Sequence, residues 1–190
     1  LDLNPEFGNI EVADNFWGKT RARVHTGDIF VGRIEGSVNA VTQSGNVIIS
    51  RTTGDVTARS YFGDLHVGSI LGQAILWADH GNIDVVHSTG SLKAEAVMGD
   101  ITAGMSREIL GDAHLEASVG DVFVDIDPDS ALEVQARSSW GKVASGVEFE
   151  VKGKSSKSRL NGVLNGGGAL LALRAKGGNV HIKSVPTYGF

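Results

Sequence analysis

The 190-residue chain has no cysteine, three prolines and few aromatic side chains, 6% of the total. Without cysteine there is no thiol nucleophile, no zinc ribbon and no disulfide framework. Stability must then come from the core and the backbone, which a chain of this length can supply as one domain. Scarce proline argues against a proline-rich linker. The 17 Lys and Arg against 22 Asp and Glu leave a net charge of −5, so there is no basic footprint for nucleic acid and no polybasic membrane anchor. No apolar run approaches the roughly 20 residues of a spanning helix, and membrane insertion of this segment is not expected. The chain starts at Leu1 without a methionine, consistent with a removed signal peptide or anchor.

Glycine is in excess, at 26 residues, about twice its usual share of roughly 7%. Gly18, Gly27, Gly36, Gly45, Gly54, Gly63, Gly72, Gly81, Gly90 and Gly99 recur every nine residues, and Gly111 and Gly120 resume the spacing after a three-residue slip. Between them apolar residues alternate with period two, as in Gly27-Asp28-Ile29-Phe30-Val31. Alternation of this kind means strand, and one glycine per nine residues means a turn between strands.

Alternate repeats match best, so the unit is eighteen residues with two unlike strands. One strand points inward with large residues: Ile29, Val47, Leu65, Ile83 and Ile101, then Val31, Ile49, Val67, Val85 and Ala103. The other carries smaller ones, such as Ala40, Ala58 and Ala94, then Thr42, Ser60, Ala78 and Ala96. Large facing small fills a thin interior at native density. The expected fold is all-β, a flattened parallel β-solenoid of about eight coils, each strand pairing with its counterpart eighteen residues on at about 4.8 Å.

Asp28, Asn46, Asp64, Asn82 and Asp100 open successive strands of the large-walled type. Interposing Asn doubles the separation of the carboxylates to about 9.6 Å, near a Debye length, and short Asx side chains hydrogen-bond turn backbone. A structural turn ladder is expected of this row, with no catalytic role.

The frame extends from about residue 8 to 127, with looser coils beyond Pro128. Leu132-Glu133-Val134-Gln135-Ala136 copies the small-walled strand, and Gly141-Lys142-Val143 opens its partner. Residues 145–168 break the rhythm and read as one long excursion, after which Leu171-Ala172-Leu173-Arg174-Ala175 and Gly178-Asn179-Val180-His181-Ile182 form the last coil. The whole chain, 1–190, reads as a single domain, with Leu1-Asp2-Leu3 and Tyr188-Gly189-Phe190 as candidate end caps.

Thr26-Gly27-Asp28-Ile29, Ser44-Gly45-Asn46-Val47 and Thr53-Gly54-Asp55-Val56, followed by the 132–136 strand, a long loop and the closing Gly178-Asn179-Val180-His181-Ile182, resemble the bacterial DUF4097 family. These are toastrack-type β-solenoids for which adhesion has been suggested. The resemblance implies a secreted, periplasmic or surface-exposed domain, an extracytoplasmic location, and supplies no catalytic motif.

Specific chemistry finds little support. Calcium β-rolls need Gly-Gly-x-Gly-x-Asp, whereas the position after the frame glycine is here Ser37, Gln73 or Ser91 in some repeats. Gly166-Gly167-Gly168 is not followed by Lys-Ser or Lys-Thr, so it is no phosphate loop. No cofactor or metal is expected. His66 and Asp84 share an outward row one coil apart, but the frame puts no serine beside them. The outward-facing apolar residues Tyr61, Phe62, Leu71, Ile75 and Trp77, with Phe30 and Ile48 on the neighbouring wall, are the candidate partner surface. Two arrangements stay open: the excursion, with Val147, Phe149 and Val151 in alternation, covers this patch, which is the preferred reading, or the patch is free. The functional expectation is a non-enzymatic solenoid presenting a rigid surface for adhesion to an unknown protein or surface glycan. The alternatives are a self-associating filament subunit and a carbohydrate-binding or carbohydrate-active β-helix.

Overall fold

The computed structural model describes residues 1–153 and 155–185, which leaves the candidate cap Tyr188-Gly189-Phe190 outside the described residues. Three short strands come first: β1 (Asp2–Leu3), β2 (Ile10–Val12) and β3 (Phe16–Trp17). The regular body follows with β4 (Thr20–Thr26), β5 (Ile29–Glu35), β6 (Val38–Ser44), β7 (Val47–Thr52), β8 (Val56–Phe62) and β9 (Leu65–Ile70). It continues through β10 (Ala74–His80), β11 (Ile83–Ser88), β12 (Leu92–Met98), β13 (Ile101–Met105), β14 (Ala113–Val119) and β15 (Val122–Ile126). The C-terminal part supplies β16 (Leu132–Ser138), β17 (Val143–Ser145), β18 (Glu150–Val151), β19 (Arg159–Leu164), β20 (Ala169–Ala175) and β21 (Val180–Ser184). No helix occurs among the described residues.

Even-numbered strands of the body stack into a first wall and odd-numbered ones into a second, all in parallel. The register is the one the repeat dictates: Ala74 lies opposite Val56 and Leu92, each eighteen residues away. The result is a parallel β-solenoid of about seven turns, close to the eight expected, because the coils at the two ends are short. The inward rows of both walls are buried through the body from β4 to β15, and a fully buried Val, Leu or Ile stabilises the fold by about 1.5–3 kcal/mol.

The first wall is less uniformly small than its alanines suggest. Leu76, Leu92 and Leu115 interrupt it, and they do so in staggered fashion: Ala74 precedes Leu76, Leu92 precedes Ala94, and Ala113 precedes Leu115. In β10, β12 and β14 one leucine and one alanine at these two positions of each strand keep the interior volume constant and the leucines of these adjacent coils out of direct register, as close packing favours; the stagger ends at the inserted strand, where Leu173 lies opposite Leu115. The second wall is bent. Its inward positions run Ile29, Val31 and then Ile34, and Leu65, Val67 and then Ile70. The extra residue turns the strand, and at that bend a Cβ on Gly68 would run into the carbonyl of Ser50 in the preceding coil.

The corners explain the frame glycines. Gly45 sits at φ +145°, a conformation closed to other residues, and a Cβ there would overlap the Gly27 carbonyl. Buried hydroxyls then bind these corner carbonyls from inside: Thr42 Oγ1 donates to Gly27 O and Ser60 Oγ to Gly45 O, each at 3.0 Å.

The C-terminal coils do not stack in chain order. The order in the first wall is β14-β20-β16-β19-β18, and in the second it is β15-β21-β17. The coil that is last in sequence is thus inserted between its two predecessors. The excursion returns as β19, which pairs antiparallel with the outer edge of β16, and β18 pairs antiparallel with β19. An exposed parallel edge offers unpaired N–H and C=O groups, and the excursion closes it.

Candidate functional site

The Asx row forms one continuous line of side-chain to backbone hydrogen bonds. The N–H of Asp28 donates to Asn9 Oδ1 at 2.9 Å, that of Asn46 to Asp28 at 2.7 Å, and that of Asp64 to Asn46 at 2.8 Å. Asn82, Asp100 and Asp121 repeat the contact onto Asp64, Asn82 and Asp100 at 2.7–2.9 Å. Through the inserted coil the line continues, with Asn179 N–H donating to Asp121 and Lys142 N–H to Asn179. One side-chain oxygen of each Asx is therefore occupied by the turn of the next coil. The alternation of Asp and Asn ends at Asp100 and Asp121, which are direct neighbours.

On the outer face of the first wall, Arg59 and Trp77 are register partners. The Arg59 guanidinium lies 4.0 Å from the Trp77 ring centroid and 4.9 Å from that of Tyr61, and the two rings meet edge to face at 5.4 Å. This clamps Trp77 from one side through cation–π attraction. Ile75 flanks it, while Phe62 stands at the corner and stacks on His80 at 4.9 Å. Leu71 precedes β10, at the opposite end of the strand from Phe62. Phe30 and Ile48 pair with each other on the second wall, on the other side of the rod.

The preferred expectation that the 145–168 excursion buries this patch is incorrect. Its strands β18 and β19 lie beyond β16, several strands from β8 and β10, and Val147 and Phe149 pack against the end of the core instead. Phe62 stays 54% exposed, Ile75 43% and Leu71 41%. An unpaired strand edge beside an open core end attracts an apolar segment more strongly than a few outward rings on a wall whose hydrogen bonds are already complete.

Two of the hollows along this face adjoin each other at Lys93 and Glu95. The smaller, about 240 Å³, is lined by Arg59, Ile75, Trp77 and Glu95. The larger, about 820 Å³, is an open trough over β12, β14, β20, β16 and β19. Lys93 and Glu95, which border both, pair at 2.9 Å, and that hydrogen bond raises the Lys93 pKa above its ordinary value.

The histidines remain dispersed. His66 Nδ1 is 3.5 Å from Asp84 Oδ2 with both side chains about half exposed. His181 stacks on Phe123 at 4.8 Å. One contact escaped sequence reasoning: Ser106 Oγ lies 2.7 Å from His87 Nε2 and 2.7 Å from Thr89 Oγ1. Ser106 falls within the slip between Gly99 and Gly111, so the repeat frame gave no register for it. Ser106 as a whole is 5% exposed, which suits a bond tying down the 105–112 loop better than attack on a substrate. Among the described residues no group of three or more His, Asp or Glu is placed to hold a metal ion.

Residues 1–183 match the family model described as Toastrack DUF4097. Neither a curated protein nor a solved structure matches the chain significantly. A toastrack β-solenoid with a complete hydrogen-bonded stack fits a non-enzymatic scaffold. Since the match covers nearly the whole chain and the coils have the expected parallel stacking, the protein belongs to the Toastrack DUF4097 family.

Proposed function

We propose that the protein is an extracytoplasmic solenoid scaffold whose first wall presents a rigid side surface for adhesion or protein interaction. The observation that carries this reading is the cluster of Arg59 with the half-buried rings of Tyr61 and Trp77, flanked by exposed Phe62 and Ile75 and left clear of the excursion. Aromatic and arginine side chains held rigid before binding lose little entropy on contact and dominate interface energetics. The extracytoplasmic location rests on the family resemblance and is tested by fractionating cells that express the full-length gene product. End-to-end filament growth is less well supported, because β19 and β18 already occupy the far edge of the first wall. Light scattering over a concentration series tests this, and growth into open-ended assemblies would overturn it. For the side surface, the wild-type protein and Trp77→Ala are compared for retention on the surface of the cells that produce it. Loss of retention with an unchanged melting temperature supports the reading; retention unaffected by Trp77→Ala contradicts it.

A further inference from the structure

The outward row that carries Trp77 continues across the first wall as Glu95 and Glu116, and then as Arg174, Arg137 and Arg159. Arg137 is the register partner of both Arg174 and Arg159, so three exposed arginines occupy neighbouring positions on adjacent strands. Like charges directly opposite destabilise strand pairing, and this is a chain with five more acids than bases. Little neutralises them. Arg174 is 3.8 Å from Glu116, which Lys176 holds at 2.6 Å, and among the described residues Arg137 and Arg159 form no ion pair with a carboxylate. Arg159 reaches the row only because the excursion folds back as an antiparallel strand.

The three arginines line the 820 Å³ trough together with Gln135, Asn161 and Glu116. Guanidinium forks match carboxylates in bidentate fashion. The amides and the Glu116 carboxylate add acceptors, which a saccharide's hydroxyls need and an all-anionic ligand does not. Strand spacing of about 4.8 Å is close to the advance of one pyranose along an extended glycan. We infer that this trough binds an acidic glycan, a linear saccharide bearing uronate carboxylates, with Arg137, Arg159 and Arg174 on the carboxylates and Gln135, Asn161 and Glu116 on the hydroxyls. The site is separate from the Trp77 cluster and stands whether or not that cluster binds a partner.

Calorimetric titration of the whole chain with oligogalacturonate tests it. The wild type binds in a salt-sensitive manner, and Arg137→Gln with Arg159→Gln weakens binding at least about tenfold, the scale of one lost charge-assisted contact. The same pair of changes leaves the melting temperature equal or higher, because the repulsion is gone, and Trp77→Ala leaves the affinity unchanged. Should the glutamines disturb the β18–β19 hairpin, Arg137→Lys with Arg174→Lys keeps the charge, removes the forks and still weakens binding. The inference is overturned if the wild type ignores millimolar oligogalacturonate, if either double variant binds as tightly as wild type, or if polyglutamate of equal charge binds equally well.

Discussion

In the body of the rod, from β4 to β15, successive coils of the chain are neighbours in the stack; from β16 onward the coils stack out of chain order. A body coil meets the next coil eighteen residues on, or 21 across the slip. The inserted coil instead meets one neighbour 58 residues back and the other 37 back, through Asp121 and Lys142. Closing a loop of 58 instead of 18 residues costs only about 1 kcal/mol more in chain entropy. That is small against a seven-residue strand paired on both edges, as β20 is with β14 and β16. The comparison teaches that a repeat specifies the wall a strand belongs to and the direction in which it faces, while its position along the stack is open to any coil of the same pattern. Here the open position serves a purpose, since it places the excursion at the end of the rod, where an edge has to be closed.

The sharpest way to strain this comparison is a corner glycine. Gly63→Ala forces a Cβ into the Gly45 carbonyl at φ +143° and is expected to lower stability by more than about 3 kcal/mol in urea denaturation. Gly166→Ala, in the turn after β19 with open space around it, is expected to cost about 1–2 kcal/mol from its left-handed backbone alone. Equal losses would mean that the body stack is no tighter than the excursion.

Next in size is the core on either side of the insertion. Leu115 in the body and Leu173 in the inserted coil are register partners, both fully packed. Leu115→Ala and Leu173→Ala are each expected to cost about 2–5 kcal/mol. A loss below about 1 kcal/mol for Leu173→Ala alone, seen as a shifted denaturation midpoint, would place the inserted coil at the periphery.

The smallest effect concerns the Asx line. Asn82→Ala leaves the Asp100 N–H without its acceptor, at about 1 kcal/mol. Asn179→Ala is expected to cost slightly more, because its amide also donates to Asp121 at 3.3 Å. Asp64→Asn preserves the acceptor and is expected to stay within about 0.5 kcal/mol of wild type. Hydrogen exchange at Asp100 and Lys142 reports the two losses residue by residue.

Much of this fold is legible in the residues themselves. Nine-residue glycines mark the corners, period-two apolar rows mark the walls, and the aligned Asx positions mark a turn row, because in-register stacking puts equivalent residues in equivalent places. Insertion of the coil at 169–184 is not legible, since Leu171-Ala172-Leu173 would satisfy the same wall at any height. The place of the excursion is not legible for a related reason: the alternation of Val147, Phe149 and Val151 announces an apolar face without saying what covers it, and in the fold Val147 and Phe149 pack against the core while Val151 stays exposed. The arginine row was hidden as well. Arg137, Arg159 and Arg174 are far apart in sequence, and only the antiparallel return of β19 and the insertion of β20 bring them side by side.

The absence of cysteine permits a direct test of the insertion. Glu116 and Arg174 are register partners on β14 and β20, whereas Glu116 and Arg137 are separated by the whole of β20. Disulfides need Cα atoms about 4.4–6.8 Å apart. Two variants are oxidised under the same mild conditions, Glu116→Cys with Arg174→Cys and Glu116→Cys with Arg137→Cys. Formation of the 116–174 bridge without the 116–137 bridge is the predicted result; a 116–137 bridge that forms as readily would contradict the inserted coil.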